Sequence, residues 1–272
     1  MSDFKIFAER EESGWADPDI IANYVTKFGP VTDDAGRQML SRFDVAGKTV
    51  LDLCCGQGNV TKMLVEAGAM ATGLDFSANM LTRARDAVPQ AAFVEADAAN
   101  MPLQDNSFDF VVNNFGMMHL PDPAAVLREV SRVLRTGGTF AMATWEAPPR
   151  SPAFGTVFGA IKAHADFSKA PPQPDLFAFT DSTFAQETLA AAGLKMTGHD
   201  QVQCAWEVSE PGELFDIFLT ATVGARMLIT SQSEETKSTI RDNITEKVAT
   251  SFADGDGFRV PVPICVVTAT KP

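Results

Sequence analysis

Val50-Leu51-Asp52-Leu53-Cys54-Cys55-Gly56-Gln57-Gly58-Asn59-Val60 is an apolar run that ends in a glycine-bearing turn and a helix start. Buried parallel strands carry such runs, and a turn that feeds directly into a helix presents backbone N–H groups to a small ligand. Gly56 and Gly58 can take positive φ and have no Cβ to obstruct close approach, while Asn59 is placed to cap a helix through Met63 and Leu64 to about Gly68.

Outward from this turn the chain alternates strand, turn and helix with short links, the pattern of a mostly parallel sheet with helices on both faces. Strands are predicted over 49–53, 69–75, 92–95, 108–113 and 139–144. Ser77 should cap a helix holding Met80 and Leu81. Asp122-Pro123 should start another, with Val126, Leu127, Val130 and Leu134 on one face and Gly137-Gly138 at its end. Pro148-Pro149 and Pro171-Pro172-Gln173-Pro174 mark loops around a helix over 153–165, and 180–192 reads as a helix closed by Gly193. Two stretches of β character, 195–208 and 258–270, are expected to form an antiparallel pair at the sheet edge. The 209–257 insertion between them holds helical segments at 213–229 and 234–252, and should fold over the carboxyl ends of the strands, where open α/β sheets bind ligands. Residues 1–46 read as a helical lid, with Ile20, Ile21, Tyr24, Val25 and Phe28 in a helical pattern closed by Gly29-Pro30 and a second helix over 33–43. Residues 47–272 form the ligand-binding domain.

At 272 residues and 45% hydrophobic content the chain can bury a full core. A formal charge of -13 argues against nucleic acid as a partner, because no Lys/Arg cluster is present to meet phosphates. A neutral or cationic small molecule suits that field. The four cysteines make no zinc spacing and no secreted disulfide framework, so no metal is expected. No apolar run reaches the length of a membrane span and the start, Met1-Ser2-Asp3-Phe4-Lys5, lacks a signal pattern, which reads as a cytoplasmic protein.

A dinucleotide fingerprint would need glycine where Thr61 stands, and no P-loop is present. The remaining acidic-x-x-x-Gly-x-Gly pattern of Asp52, Gly56 and Gly58 resembles motif I of the class I S-adenosylmethionine (SAM) dependent methyltransferases. One departure is Cys54, where that family often has glycine. The run Leu74-Asp75-Phe76-Ser77-Ala78-Asn79-Met80 resembles the family's second motif, and Asn113-Asn114-Phe115-Gly116-Met117-Met118-His119-Leu120-Pro121-Asp122-Pro123 resembles the fourth motif of its UbiE-like group. The likeness covers about residues 45 to 145. It implies a Rossmann-like fold with a mostly parallel seven-stranded sheet and S-adenosyl-L-methionine as cofactor, moved on to a small-molecule acceptor.

On that resemblance Asp75 accepts from both ribose hydroxyls, while Asp97 and the Ala98 N–H meet the adenine amine and a ring nitrogen. Phe76, Met80 and Met101 flank base or sugar. Backbone carbonyls around Asn113 and Asn114 hold the ammonium with the Gly56 backbone, and with Asp52 through water; Cys54 lies beside the ligand. Trp15, Tyr24 and Arg37 reach in from the lid. Methyl transfer is an in-line displacement that needs a base only for a protic acceptor, and His119 is the nominee, with Glu146 as a weaker alternative and His164 and His199 outside the ligand motifs. Structural readings stand beside these: capping for Asp52 and Asp75, core packing for the methionines, a loop brace for His119. Abundant aromatic residues, among them Phe154, Phe158, Phe177, Phe179, Phe215, Phe218 and Phe252 together with Met227, suggest an apolar or aromatic acceptor. The rival readings are a non-catalytic SAM-binding protein, a nicotinamide oxidoreductase, and an amide or base N-methyltransferase. The lone tyrosine, Tyr24, leaves no Tyr-x-x-x-Lys pair for the oxidoreductase, and Asn113-Asn114-Phe115 lacks the prolines of the last.

Overall fold

A computed structural model describes residues 4–169 and 173–272. The loop markers Pro171 and Pro172 and the first three residues of the signal-peptide reading lie outside the described residues. Helices α1 (Lys5–Gly14), α2 (Pro18–Lys27) and α3 (Gly29–Leu40) lead the chain. Then come β1 (Thr49–Leu53), α4 (Asn59–Glu66), β2 (Met70–Asp75), α5 (Ala78–Ala87), β3 (Ala92–Glu95), β4 (Phe108–Asn114), α6 (Pro123–Val133) and β5 (Leu134–Trp145). The remainder runs α7 (Pro152–His164), α8 (Ser182–Ala191), β6 (Lys195–Val202), β7 (Ala205–Val208), α9 (Glu213–Ala221), α10 (Gly224–Thr230), α11 (Glu234–Ser251), β8 (Ala253–Asp254), β9 (Gly257–Pro261) and β10 (Ile264–Thr270).

The main sheet has seven strands in the order β3-β2-β1-β4-β5-β10-β6. Neighbours from β3 to β5 pair in parallel, and β10 runs antiparallel to both β5 and β6. The chain leaves β1 to one side and returns to β4 on the other, so the carboxyl ends of β1 and β4 meet at the point where strand order reverses, the usual ligand crevice of such sheets. Val50, Leu51 and Leu53 are wholly buried, which is why a largely apolar run was needed at the sheet centre. Helix α6 places Val126, Leu127, Val130 and Val133 inward, and Asp122 caps it by accepting from Ala125 N. No helix among the described residues is long and apolar enough to cross a membrane.

Several expectations change. Gly58, with φ 86°, is the N-cap of α4, and Asn59 instead donates from Nδ2 to Asp33 Oδ1. Gly29-Pro30 do not only close α2 but open α3, which starts before residue 33 and ends at Leu40. Helix α6 stops at Val133 rather than running to the glycine pair; Leu134 already pairs with Phe108. The register shifts before Thr139 pairs with Phe110, so Gly137, at φ 79°, sits in an irregularity inside β5. Each of the two late β stretches is two strands. Their outer halves, β6 and β10, complete the main sheet, whereas β7 and β9 join β8 in a separate three-stranded sheet. Pro261 and Pro263 bracket the break, where a missing N–H cannot serve a ladder. The helical segment over 213–229 is also two helices, α9 and α10, parted at Thr222 and Val223.

Candidate functional site

A cavity opens at the tips of β1, β2 and β4. Its wall is Cys54 and Gly56 after β1, Asp75, Phe76 and Met80 around the β2 tip, Asn114 to Gly116, His119 and Leu120 after β4, and Trp15 and Tyr24 from the leading segment. Seven of the sequence-nominated cofactor residues therefore share one wall: Tyr24, Cys54, Gly56, Asp75, Phe76, Met80 and Asn114. His119 joins them.

Asp75 is 7% exposed, and its two oxygens accept from backbone, Oδ2 from Gly56 N and Oδ1 from Ser77 N, both at 2.9 Å. Burial pushes its carboxyl above the ordinary carboxylate range, against the pull of those N–H groups and of His119. Each oxygen retains a lone pair for a further donor. Asn114 donates from Nδ2 to Thr32 O at 3.0 Å, yet its Oδ1 is buried without a partner, one of two such side-chain atoms among the described residues. An orphaned acceptor on a cavity wall costs about 1–3 kcal/mol until a donor reaches it.

Cys54 and Phe115, on the same wall, have φ of 58° and 60°. Left-handed backbone at non-glycine residues is costly and gathers where surrounding structure holds a site in shape. Gly116 is needed between them, since a Cβ there would lie 2.5 Å from both Cys54 Cβ and Asn113 Nδ2.

Other nominees lie off the wall. Asp52 is 1% exposed beneath the turn, where Oδ2 accepts from Thr61 Oγ1 at 2.6 Å; burial pushes its carboxyl up to about 7 despite that bond. The threonine that breaks the dinucleotide fingerprint thus braces the acidic residue of the turn. Gly58 packs against Ala84, and a Cβ there would meet the Ala84 backbone at 3.2 Å. Asn113 is wholly buried; its amide bridges Leu53 O to the N–H groups of Gly116 and Met117, tying the β1 tip to the β4 loop. Asp97 is exposed and its carboxylate turns back on Ala99 N, while Ala98 and Met101 are buried beside it. Arg37 does not reach the cavity but lines a groove with Asp34, Trp206 and Arg259. Glu146 is held by Arg150, Gln201 and Ala147 N away from the wall, which removes it as an alternative base. His164 is exposed, and His199 contacts Phe179 O and Cys265.

A second cavity abuts the first and shares Trp15, Tyr24, Phe115 and His119 with it. Its remaining wall is largely aromatic and apolar: Phe28, Met118, Trp145, Phe154, Phe158, Leu176 and Phe218, with Ala221, Thr222 and Ala225 between α9 and α10. Phe115 stacks on Trp145 at 3.9 Å between ring centres, and Phe154 meets Phe218 edge to face at 5.4 Å. Of the other aromatic nominees Phe177 packs behind Phe154, Phe179 belongs to the core under the opposite sheet face, Phe215 lies under Arg241, and Phe252 faces an outer groove.

One residue escaped sequence reading. Glu11 of α1 is 5% exposed, and its Oε2 sits 2.8 Å from His119 Nδ1 and accepts from Trp15 Nε1 at 3.1 Å; Arg10 donates to Oε1 at 3.2 Å. Burial pushes the Glu11 carboxyl up, but His119 and Arg10 outweigh it and hold it below the ordinary range. The anchoring continues from Ser77 Oγ to Trp15 O and from Asn79 Nδ2 to Ala16 O, so the leading segment is fastened to the β2 tip.

Residues 51–142 match the sequence profile of a methyltransferase domain family. The demethylmenaquinone methyltransferase of Listeria welshimeri is 39% identical over 122 residues, 42% of this chain and 51% of that protein. The chain thus spans about half the length of the curated relatives it matches. Among solved structures, a methyltransferase-like protein from Bacillus halodurans superposes with a TM-score of 0.59 at 20% identity, covering 88% of this chain and 99% of that one. A Haemonchus contortus phosphoethanolamine N-methyltransferase, solved with S-adenosylhomocysteine, superposes with a TM-score of 0.51 at 18% identity over 88% of this chain and 52% of that one. At these identities the structures speak for the fold, that of the class I methyltransferases.

Proposed function

We propose that this chain moves the methyl group of S-adenosyl-L-methionine to a small apolar or aromatic molecule. The observation that carries the reading is the pair of abutting cavities with His119 at their seam, one set among strand-tip acceptors and the other among aromatic rings.

The residues fit the cofactor. Its ribose hydroxyls and its ammonium are donors, and the wall offers the free lone pairs of Asp75 and the unfilled Oδ1 of Asn114. Gly56, at φ 53° and with open space where a Cβ would stand, lets the ligand approach backbone. Phe76, 37% exposed, and Met80 provide an apolar flank for the base. Asp97 and Ala98 follow β3, the neighbour of β2, and would meet the adenine amine and a ring nitrogen, respectively, beyond that flank. When bound, the cofactor supplies an electrophilic methyl on a sulfonium, so the chain contributes alignment and exclusion of water, effects worth up to about 7 to 11 kcal/mol. Residues 1–46 act as the lid, the 47–272 region holds the cofactor, and the 209–257 insertion contributes α9 and α10 to the acceptor pocket. A net charge of -13 favours a small molecule over nucleic acid as acceptor.

Calorimetric titration with S-adenosylhomocysteine and with NAD tests the cofactor. Saturable binding of the former alone is expected; NAD binding without a response to S-adenosylhomocysteine would overturn the proposal. Transfer of labelled methyl into a metabolite extract would separate an enzyme from a non-catalytic binder.

A further inference from the structure

We propose that Glu11 fixes the tautomer of His119 so that Nε2 takes a proton from the acceptor, which restricts the acceptor to a nucleophile bearing one: a hydroxyl, an N–H or an acidic C–H. The inference rests on the methyl-transfer reading and goes beyond it by naming the acceptor's chemical class and a positioning residue that lies outside the matched domain.

Glu11 is buried and ionised, and an ionised carboxylate can only accept hydrogen bonds. The 2.8 Å contact with His119 must therefore be Nδ1–H donating to Oε2. A neutral imidazole has one N–H, so the lone pair is on Nε2, which has no hydrogen-bond partner among the described residues. The ring lines both cavities, and the Trp15 ring packs edge to face on it at 5.2 Å, so the orientation is held. The charged groups around it are Glu11 of α1, Arg10 behind that carboxylate, and Asp75 of β2.

A mere loop brace does not call for this arrangement. Burying a carboxylate is expensive, and a neutral amide or hydroxyl would hold an N–H with less desolvation. A negative charge behind the imidazole is useful when the ring becomes an imidazolium. During transfer the acceptor's electron pair forms the bond to the methyl carbon, the carbon–sulfur bond breaks with its pair going to sulfur, and the acceptor's proton goes to Nε2. A thioether or tertiary amine has no proton to lose and would yield a permanent cation. With such an acceptor the lone pair on His119 Nε2, and the buried carboxylate that fixes it, would have no proton to handle.

The test is 15N–1H correlation of the imidazoles in the full chain, with its three histidines assigned by substitution. In its neutral form His119 should show a protonated Nδ1 and an unprotonated Nε2. Glu11→Ala should lose that preference, and Glu11→Gln, whose carbonyl can still accept, should retain it. A neutral ring with its proton on Nε2 in the unmutated chain, a measurement that depends on no variant's folding, would overturn the proposal, as would an unchanged tautomer in a folded Glu11→Ala. In labelled-methyl incorporation, a product retained as a permanent cation at high pH would overturn the acceptor class, and a neutral product would support it. S-adenosylhomocysteine titration of the same samples keeps the two readings apart: absent binding removes the methyl-transfer proposal whatever the tautomer.

Discussion

Asp75→Asn divides the work of one carboxylate into two measurable parts. Both oxygens already accept from backbone N–H groups, Gly56 on one side and Ser77 on the other, at 2.9 Å each. Whichever way the asparagine turns, its NH2 faces one of those donors, and a buried N–H loses its acceptor. The expected cost is about 1–3 kcal/mol of folding stability, read as a lower urea midpoint with an unchanged slope. The ligand arm is separate. A ribose hydroxyl that donated to a charged oxygen would now meet a neutral amide, and losing one charge-assisted bond costs about 1.5–3 kcal/mol, or about 10- to 150-fold in affinity for S-adenosylhomocysteine by calorimetry. If stability falls and affinity holds, Asp75 is a brace for the glycine turn and the sugar lies elsewhere. If affinity falls while stability holds, the two backbone bonds are not what secures the turn.

Asp52→Asn should change the pH dependence of folding. With its carboxyl at about 7 in the folded chain against an ordinary 3.8, the folded state holds this proton more tightly, so its stabilisation is full below about pH 4 and is lost as pH rises to about 7. The total is about 4 kcal/mol; the variant should lack this slope in urea unfolding at about pH 4.5 and about pH 8, and parallel behaviour would contradict the burial argument. Gly116→Ala should destabilise by about 1–3 kcal/mol, since the added Cβ would lie 2.5 Å from Cys54 and Asn113 atoms; an unchanged urea midpoint would show that the loop yields freely. Of the three tryptophans, Trp15 lies on both cavity walls, Trp145 on the second alone and Trp206 on neither, so S-adenosylhomocysteine in the first cavity should alter tryptophan emission, and Trp15→Phe should abolish most of the change. An undiminished signal would place the ligand away from the leading segment.

The parallel core was legible because its central strands are largely buried and so carry mostly apolar runs, with Gly56, Asp75 and Asn114 at or just past their tips. What escaped was set by long-range packing. The sequence of α1, Lys-Ile-Phe-Ala-Glu-Arg-Glu-Glu-Ser-Gly, buries Phe7 but leaves Ile6 62% exposed, so its apolar pattern is too sparse to stand out from a charged loop. Glu11 acquires meaning only from a partner 108 residues away. Asn59 is a good cap by residue type, yet Gly58 took that position because left-handed backbone was needed there and Asp33 was near enough to take the asparagine. Arg37 and Glu146 were nominated by proximity in sequence to the right elements and turned out to be committed to other surfaces. In the late β stretches, Pro261 and Pro263 were visible, and their effect on strand continuity was the signal that had been available.

The bonds between α2 and the region around α9 carry a mechanical consequence. Lys27 Nζ donates to Thr220 Oγ1 at 2.8 Å, and Trp206 Nε1 donates to Lys27 O at 3.0 Å, so the helix bearing Tyr24 is riveted to the helix bearing Phe218. The roof over one chamber and the flank of the other are then a single moving part. A displacement of α2 would therefore be felt along α9, on the wall of the second cavity.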